Sequence, residues 1–381
     1  MITAPAESVV SKYLASRAVK NQIPLSGTFE VTPVCNMNCR MCYIRMSKSQ
    51  QEAIHPLLSA EDWTSLGKTA TDHGMLYLLL TGGEPFLRPD FRQILQELHQ
   101  MGLVISINSN ATLITEEVVQ WLKKSPPARI NISIYGSSNE TYQRLCGNAN
   151  GFDQVDRAIS LLQDAGINIK INFTATPYNV MDMEEVFHYC EDHNLIWQPT
   201  SYMFPPVRRD ASLTGRNDRM TPQIAAETAA AMNLLNHGKE RFLQMTKNSQ
   251  FVTIPSETEE NCQEEGEGIR CRAGKCAFWI SWDGKMRPCG MMPGRFPDVL
   301  QEGFESAWGK TRQYAKAIHM PVRCTKCSNK NECLPCAAMA VSETGHFDQV
   351  PEYRCQMAQA YPDACRALAV LLEEKEGKQQ S

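Results

Sequence analysis

The tightest constraint in this chain is a run of ten residues, "VCNMNCRMCY" at 34–43, that contains Cys35, Cys39 and Cys42. A structural zinc site takes four protein ligands, and an ordinary iron–sulfur cluster takes four thiolates. Thiols spaced as Cys-x3-Cys-x2-Cys are too close together for three independent structural roles. We therefore interpret the run as a metal site whose fourth ligand is missing from the local sequence.

A metal is one explanation of this run, and three interpretations fit it in all. The chain has eight histidines, so a zinc ion completed by a distant histidine is one, and burial of the thiols without a metal is another. The third is a [4Fe–4S] cluster, in which three cysteines bind three irons and leave the fourth iron open to a non-protein ligand. The motif on its own does not exclude zinc.

The composition of the whole chain sets further limits. Its 381 residues suggest two domains, or one large domain with an appendage, and 43% apolar residues are enough for a full core. A net charge of −4 argues against a nucleic-acid partner, which usually requires a basic surplus. No apolar run approaches the ~20 residues of a membrane span, and residues 1–20 lack the pattern of a signal peptide. We therefore expect a cytoplasmic protein with neither nucleic acid nor membrane as a partner.

The cysteines are concentrated in two parts of the sequence. The chain has fifteen of them, which in a reducing cytoplasm favours metal ligands over disulfides. Three lie near the start, Cys146 and Cys190 are isolated, and ten fall between 262 and 365. The middle of the chain is therefore poor in cysteine, with a cysteine-rich segment on either side.

Strand-like and helix-like segments alternate over the first two hundred residues. Extended segments are predicted at 27–34, 75–82, 103–110, 129–136, 167–175 and 196–204. Helices are predicted at 6–20, 60–73, 90–101, 115–124, 151–165, 182–193 and 221–247. This alternation predicts an α/β fold with βα units on a parallel sheet, as a partial or full barrel with functional residues at the carboxyl ends of its strands. The three-cysteine run and "TGGEP" (81–85) both fall at such ends.

This combination of motifs resembles the radical S-adenosylmethionine (SAM) superfamily, over about residues 27–205. The resemblance implies a partial (β/α)6 TIM-like barrel in which the open iron chelates the amino and carboxylate groups of SAM. Reductive cleavage of SAM would release methionine and a 5′-deoxyadenosyl radical that abstracts a hydrogen atom from the substrate. One departure is Met41, which stands before the third cysteine where an aromatic residue is usual.

The resemblance also implies which residues surround SAM. Glu84 is expected to accept hydrogen bonds from the SAM ammonium, and the two glycines before it allow the backbone to approach a ligand closely. The expected cofactor-binding set is Met41, Gly82, Gly83, Glu84, Asn108, Ser133 and Arg144. For the last three of these, packing or capping roles fit as well.

A few further residues receive less specific interpretations. Cys146 and Cys190 are interpreted as buried structural thiols. Arg208 and Arg209 follow the sixth strand, where they could hold an anionic group of SAM or substrate, or simply lie on the surface.

The late cysteines form a second pattern. Taken alone, "CTKCSNKNECLPC" supplies four ligands to one metal, as in a zinc-ribbon knuckle, but this leaves four others unassigned: Cys271, Cys276, Cys289 and Cys355. A predicted hairpin, with Asp283-Gly284 as a two-residue turn, sets Phe278 opposite Cys289. That register brings Cys276 diagonally close to Cys289.

Eight of these cysteines resemble the SPASM domain of peptide- and protein-modifying radical SAM enzymes, which carries two auxiliary [4Fe–4S] clusters. By this resemblance one cluster is held by Cys271, Cys276, Cys289 and Cys336, and the other by Cys324, Cys327, Cys333 and Cys355. The x2 spacing between Cys333 and Cys336 departs from the usual x3, so their allocation between the two clusters stays open. Cys262 and Cys365 fall outside the pattern. The expected domains are an N-terminal helical extension (1–26), a radical SAM core (27–215), a helical and acidic linker (216–261) and a SPASM domain (262–381).

Together the resemblances imply an oxidoreductase with SAM and three [4Fe–4S] clusters that modifies a peptide, as in the maturation of a ribosomally made precursor (RiPP). Thioether or carbon–carbon crosslinks are the expected products. The expected partners are a peptide or protein substrate and a flavodoxin- or ferredoxin-type electron donor. Only about 27 residues precede the first strand, so recognition of a leader peptide would be minimal, absent or supplied by a separate protein.

Three alternatives stay open. A sulfatase-type formylglycine maturase is disfavoured, because such relatives carry an acidic residue after the hairpin cysteine and Gly290 follows Cys289 here. A SPASM dehydrogenase of a small molecule and a zinc-binding scaffold without activity are the others. No general base is identified, since a role in the turn explains Asp283, the nearest acidic residue, better than catalysis does.

Overall fold

The computed structural model describes residues 7–206, 218–248, 268–327 and 329–379. Its strands are β1 (Ser26–Glu30), β2 (Tyr77–Thr81), β3 (Val104–Ser109), β4 (Arg129–Ser133), β5 (Ile169–Thr174), β6 (Ile196–Thr200), β7 (Ala277–Ile280) and β8 (Met286–Arg287). All six predicted strands are confirmed, although the predicted segments run past several of the observed carboxyl ends into the loops that follow. Arg208, Arg209, Cys262 and most of the acidic stretch 256–268 lie outside the described residues.

The helices surround the sheet and continue into the C-terminal region. They are α1 (Val9–Asn21), α2 (Lys48–Ile54), α3 (Ala60–Asp72), α4 (Phe91–Gln100), α5 (Glu116–Leu122), α6 (Asn139–Cys146), α7 (Gly151–Asp164), α8 (Met183–Asp192), α9 (Pro222–His237), α10 (Lys239–Lys247), α11 (Val299–Glu302), α12 (Phe304–Lys316), α13 (Val322–Thr325), α14 (Lys330–Cys333), α15 (Ala337–Thr344) and α16 (Glu352–Gln379). Within the described ranges, no helix is long and apolar enough to cross a membrane.

Most predicted helices are confirmed, with two differences. The segment 221–247 is two helices rather than one, because Gly238 adopts a left-handed conformation (φ 75°) that ends α9 and starts α10. No helix was predicted beyond residue 247, and within the barrel region α2 and α6 were not predicted. Both are short, and each begins at a serine whose side chain accepts a hydrogen bond from the first turn, Ser47 in α2 and Ser138 in α6.

The sheet has the order β6-β5-β4-β3-β2-β1-β7-β8. Neighbours from β1 to β6 are parallel and follow one another in the chain, which confirms the (β/α)6 arrangement. Strand β7, from the C-terminal region, pairs in parallel with the free edge of β1. Phe278 of β7 is buried there against Phe304 at a ring distance of 5.3 Å. The C-terminal region therefore continues the sheet of the barrel, which the sequence did not predict.

The predicted register of the β7–β8 hairpin is wrong by one residue. The observed pairs are Trp279 with Arg287 and Ile280 with Met286, so the loop has three residues, and Gly284 takes the left-handed conformation (φ 76°) that this loop requires. Continuing this register sets Cys289 opposite Ala277 rather than Phe278. Asp283 accepts a hydrogen bond from Ser281 Oγ at 2.5 Å, which fits its interpretation as a turn residue.

Residues of the parallel strands alternate between two environments. Buried apolar side chains form one face, which the surrounding helices cover: Phe29, Leu78, Leu80, Ile105, Ile107, Ile130, Ile132, Ile171 and Phe173. The alternate positions point into the barrel and are mostly polar: Glu30, Thr81, Ser106, Asn108, Arg129, Asn131, Ser133, Lys170, Asn172 and Thr174. Because strand side chains alternate with a period of two, the same pattern that builds the core also lines the barrel with hydrogen-bonding groups.

A buried ion pair joins the barrel to the C-terminal helices. The side chains of Arg219 and Glu343 are 9% and 4% exposed, and their charged atoms are 3.3 Å apart. Tyr202, just after β6, donates a hydrogen bond to Glu343 Oε1 at 2.6 Å. The guanidinium of Arg219 lies 3.5 Å from the ring centroid of Tyr353 on α16. We call these four residues the clamp; it holds the end of β6 against α15 and α16.

We expect Glu343→Leu to lower the free energy of unfolding by about 3–5 kcal/mol, because it leaves the buried guanidinium of Arg219 without a counter-charge. The double variant Arg219→Met/Glu343→Leu is expected to recover most of this loss, since no unpaired charge remains. Urea-induced unfolding measures both, with the exposed Glu227→Leu as the control that changes stability by about 0.5 kcal/mol or less. Equal losses in the single and double variants would show that the ion pair is not what Glu343 contributes.

Candidate functional site

The three-cysteine run follows β1, and a neighbouring helix anchors it. The backbone amide of Asn38 donates to the carbonyl of Cys146 at 2.9 Å, and that of Arg40 donates to Leu145 at 3.0 Å. The last carbonyls of a helix have no partner within the helix, so the end of α6 is free to accept these bonds. The unpredicted helix α6 therefore sets the position of the cysteine run.

The two glycines of "TGGEP" are required by a close approach of two loops. A Cβ atom on Gly82 would lie 2.4 Å from the carbonyl oxygen of Thr32, and one on Gly83 would lie 2.3 Å from that of Val34. The amide of Gly83 donates to Thr32 at 2.6 Å, and that of Glu84 donates to Val34 at 3.0 Å. The glycines thus let the loop after β2 pair with the backbone that leads into the cysteines.

Glu84 is 0% exposed and connects three loops. Its Oε1 accepts from Ser109 Oγ at 2.9 Å and from the amide of Phe86 at 3.1 Å, and its Oε2 accepts from the amide of Asn110 at 2.8 Å. Burial raises the pKa of this carboxyl to about 7 despite those bonds. Both carboxylate oxygens are therefore engaged within the protein, and the expected contact with the SAM ammonium stays a prediction.

Asn110 was missed by the sequence reasoning. Its Nδ2 lies 3.6 Å from Cys35 Sγ and donates to Asn36 Oδ1 at 3.0 Å. The only signal was its place in the sequence, just after β3 at the same end of the sheet as the cysteines. Glu84 and Asn110 together tie the ends of β2 and β3 to the cysteine run.

A cavity of about 390 Å³ opens at the carboxyl ends of the strands. Of the residues expected to surround SAM or the metal, eight line it: Cys35, Cys39, Met41, Cys42, Gly82, Gly83, Asn108 and Ser133. Glu84 and Arg144 are not among the lining residues. The Arg144 guanidinium instead donates to the carbonyl of Tyr178 at 2.7 Å and lies 3.7 Å from Glu140. The expectation that Arg144 belongs to the cofactor-binding set therefore gains no support from the geometry.

The rest of the cavity wall is mainly aromatic and thioether-rich. It consists chiefly of Met37, Tyr43, Ile44, Tyr135, Tyr202, Met203, Phe204, Met291 and Met339, together with strand-end threonines and amides. No Asp, Glu, Lys, Arg or His occurs among the described lining residues. Met291 and Met339 come from the C-terminal region, so both parts of the chain form this cavity.

Cys39 has a neighbour that the sequence did not reveal. Cys146, fully buried at the end of α6, hydrogen-bonds the Cys39 thiol, and Tyr135 does so as well. The bond from Cys146 outweighs burial and lowers the pKa of Cys39, whereas burial raises the pKa of Cys35 to about 12. Cys146 is thus buried, as expected, but it also contacts one of the three proposed ligands. Cys190 is buried as expected.

Four late cysteines surround a second cavity, of about 70 Å³: Cys324, Cys327, Cys333 and Cys355. Burial, and then the nearby thiols of the other three, raise the pKa of Cys324 to about 11. The four are the set implied by the SPASM resemblance. Cys336, which the contiguous knuckle would have required, is not among the residues that line this cavity.

The other expected set is only partly brought together. Burial raises the pKa of Cys276 and of Cys336, and the nearby Cys271 thiol contributes to both shifts. Cys289 and Cys336 pack against the same apolar cluster. Cys276 and Cys336 therefore share Cys271 as a neighbour.

Position 290 cannot easily carry the acidic residue of the sulfatase-type relatives. A Cβ atom on Gly290 would lie 2.6 Å from the ring of Trp279. That ring is held in place, because Trp279 Nε1 donates to the buried carboxylate of Glu30 at 2.8 Å. The absence of a side chain at this position is therefore built into the packing.

The arrangement of thiols bears on which metal group fits. Among the residues that the structure describes, no three His, Cys, Asp or Glu side chains are grouped closely enough to hold a single metal ion. A zinc ion draws its ligands to about 2.0–2.3 Å from one point. A four-iron cluster instead binds each thiolate through a different iron and needs the thiols spread around a larger volume. Four cysteines around a cavity fit the cluster better than zinc.

Comparison with known proteins gives the following similarities. Residues 29–190 match the Radical SAM superfamily. The chain is 26% identical over 344 residues to the "AdoMet-dependent heme synthase" of Nitratidesulfovibrio vulgaris, covering 85% of this chain and 90% of the relative. It is 25% identical over 287 residues to the "Antilisterial bacteriocin subtilosin biosynthesis protein AlbA" of Bacillus subtilis, covering 74% of this chain and 59% of that protein.

Two solved structures share the fold. Native anSMEcpe with bound AdoMet and Cp18Cys peptide has a TM-score of 0.64 at 17% identity, with 92% of this chain and 99% of that chain covered. Streptococcus suis SuiB bound to precursor peptide SuiA has a TM-score of 0.62 at 17% identity, with 91% and 80% covered. The likeness extends through the C-terminal region as well as the barrel.

We expect Cys146→Ala to lower the reduction potential of a cluster bound at Cys35, Cys39 and Cys42. Removing one hydrogen bond worth ~1 kcal/mol to a ligand sulfur shifts a one-electron couple by about 40 mV. An EPR-monitored redox titration measures the shift. Cys146→Ser, which keeps a donor, is expected to stay near the wild-type value, and the buried Cys190→Ala serves as control. An unchanged potential in Cys146→Ala would remove Cys146 from the site.

Proposed function

Residues 29–190 belong to the radical SAM superfamily, and we propose that this enzyme, with its C-terminal region of SPASM type, cleaves SAM reductively and oxidises a peptide substrate. A [4Fe–4S] cluster bound by Cys35, Cys39 and Cys42 would supply the electron that breaks a carbon–sulfur bond of SAM. The strand-end amides and the glycine loop would hold SAM in the cavity. The uncharged wall would exclude water from the radical that abstracts the substrate hydrogen.

Net oxidation of the substrate is supported by one observation: part of the cavity wall comes from the cysteine-rich C-terminal region. Met291 lies two residues after Cys289, and its amide lies 3.5 Å from Cys289 Sγ. Met339 lies three residues after Cys336 on α15. Both thioethers line the cavity, so a substrate radical formed there lies beside the cysteines proposed to hold an auxiliary cluster. Loss of a hydrogen atom from the substrate, then of one electron and one proton, gives a product two hydrogens lighter.

A peptide fits the dimensions of the site. Small-molecule pockets span about 300–1,000 Å³, and the cavity of about 390 Å³ must hold SAM as well as the reacting part of the substrate. One side chain of an extended peptide needs little of that room, while the rest of the peptide stays outside. The bacteriocin-biosynthesis relative and the fold shared with two peptide-bound structures support the same substrate class. We further propose a flavodoxin- or ferredoxin-type protein as electron donor.

A tetrapyrrole is the second candidate substrate. The heme synthase of N. vulgaris matches this chain over 90% of its own length, further than the bacteriocin protein does. A flat macrocycle also suits a wall rich in thioethers and aromatic rings, since methionine adapts to irregular apolar surfaces. It would have to occupy more of the barrel than the strand-end cavity alone.

The test is anaerobic incubation of the reconstituted enzyme with SAM, dithionite and each candidate substrate. About twelve irons per chain, four in each of three clusters, are expected, together with 5′-deoxyadenosine. Peptides encoded near the gene should lose two hydrogens by mass spectrometry. Conversion of a carboxylated tetrapyrrole alone would favour the second candidate, and the absence of 5′-deoxyadenosine with every substrate would contradict radical chemistry.

We expect Cys42→Ala to abolish 5′-deoxyadenosine formation, because two thiolates do not hold the SAM-binding cluster, while most of the iron at the other sites is retained. Cys355→Ser should have the opposite effect: about four irons are lost, SAM cleavage persists and the modified product disappears. Iron analysis measures the loss of a cluster in each variant, and chromatography of the products measures 5′-deoxyadenosine and the modified substrate. The buried Cys190→Ala is the matched control, and stoichiometric zinc in colourless protein would refute the cluster assignment.

A further inference from the structure

We infer that Arg129 and Lys170 form a carboxylate-binding site inside the barrel, beneath the cavity, that anchors the substrate during the reaction. This inference rests on the proposed function for the statement that the anion belongs to the substrate. The site itself rests only on the geometry of β4 and β5.

The strand register places both cations in the barrel interior. Ser133 and Asn172 line the cavity and are paired neighbours on β4 and β5. Two residues earlier on the same faces lie Asn131 and Lys170, which are also paired, and Arg129 lies a further two residues down. Each step of two residues descends about 6.6 Å along a strand. The cations therefore form the next layers below the floor of the cavity.

Two buried polar atoms in these layers lack partners. Arg129 Nε is buried and has no acceptor. Asn131 is only 6% exposed, and its buried Oδ1 has no donor. Among the described residues, no carboxylate forms an ion pair with Arg129 or Lys170. Lys170 Nζ donates only to the neutral Gln198 Oε1, at 2.6 Å. Leaving buried charges and polar atoms unpaired is costly, so the layers are suited to receive an anion and an accompanying donor.

The electrostatics agree with this geometry. Burial, and then the nearby charge of Arg129, lower the pKa of Lys170 to about 8. The two cations lie close enough to repel each other, with no counter-ion between them among the described residues, and an anion there would relieve that repulsion. The cavity above differs from these layers, because no charged side chain occurs among its described lining residues.

The layers that contain Arg129, Asn131 and Lys170 are connected both to the cavity and to the solvent beside β6. Asn131 Nδ2 donates to Asn108 Oδ1 at 2.8 Å, and Asn108 lines the cavity. Gln198 and Thr200 lie on β6, which pairs only with β5 among the described strands, and both are exposed. A ligand can therefore enter beside β6 and set a carboxylate against Lys170 while its reacting carbon lies in the cavity. An aspartate, a glutamate or a carboxyl terminus of a peptide would provide that group, as would a side chain of a tetrapyrrole.

The binding test is lysine acylation on the cluster-loaded enzyme without SAM, read by mass spectrometry, with succinate as the probe and succinamide as its neutral counterpart at constant ionic strength. We expect succinate to slow acylation of Lys170 about threefold or more, and succinamide to have no effect. Exposed Lys68 should react equally in all samples. Absence of protection at Lys170, equal protection at Lys68, or a Lys170 that never reacts would overturn the site.

Variants separate the site from general electrostatics. Arg129→Gln should raise about tenfold the succinate concentration that half-protects Lys170. This is the loss of affinity expected for one charged hydrogen bond. The matched control Arg92→Gln, on the exposed face of α4, should leave it unchanged. Equal effects of the two substitutions would show that net charge alone attracts the anion, against the inference.

Turnover identifies the source of the carboxylate. Arg129→Gln and Lys170→Gln should raise the KM of the substrate more than they lower kcat, because both residues lie below the cavity and neither lines it. Replacing one acidic residue of a converted peptide by its amide should raise KM in the wild type but not in Arg129→Gln; for a tetrapyrrole, amidation of one carboxyl plays the same part. If SAM is not cleaved at all, the proposed function fails while protection of Lys170 by succinate still decides the binding site.

Discussion

The candidate site depends on backbone hydrogen bonds that neighbouring loops supply to the three-cysteine run. The run has no regular structure of its own; the end of α6 accepts its amides, and the loop after β2 pairs with the residues just before it. Gly82 and Gly83 make the second contact possible, since any side chain there would collide with backbone oxygens. Glu84 completes it as a buried carboxylate that accepts three hydrogen bonds from the ends of β2 and β3. The motif "TGGEP" is therefore explained first by how loops fit together, and only then by a ligand.

Sequence reasoning found what is written in local periodicity and spacing. The six parallel strands, the main helices between them and the two groups of cysteines follow from apolar patterns and from ligand chemistry. It missed features that depend on contacts between distant segments: the parallel pairing of β7 with β1, and the contact of Cys146 with Cys39. The hairpin register was wrong because a left-handed Gly284 adds one residue to the loop, and Asp-Gly is compatible with both loop lengths.

The distribution of charged side chains in the barrel interior changes with depth. The described wall near the three cysteines has no charged side chain, which suits the proposed neutral substrate radical, because a fixed charge there would be poorly solvated. Charge reappears one to two layers below, in Lys170 and Arg129. On the opposite side of the barrel, Glu30 at the end of β1 is already paired with Trp279. The interior is thus positive next to β4 and β5, and the alternation of each strand keeps these groups away from the apolar core.

Residues 218 and 219 connect the cysteine run to the far wall of the cavity. Arg40, inside the run, donates to Tyr178 Oη at 3.1 Å, and Tyr178 donates to Asp218 at 2.9 Å. The next residue, Arg219, belongs to the clamp that holds α15, and α15 carries Met339 on the cavity wall. Asp218 and Arg219, which are adjacent in the sequence, are thus linked to both sides of the cavity. Since packed elements shift as units rather than deform, this connection and the pairing of β7 with β1 together hold the C-terminal region against the three-cysteine run.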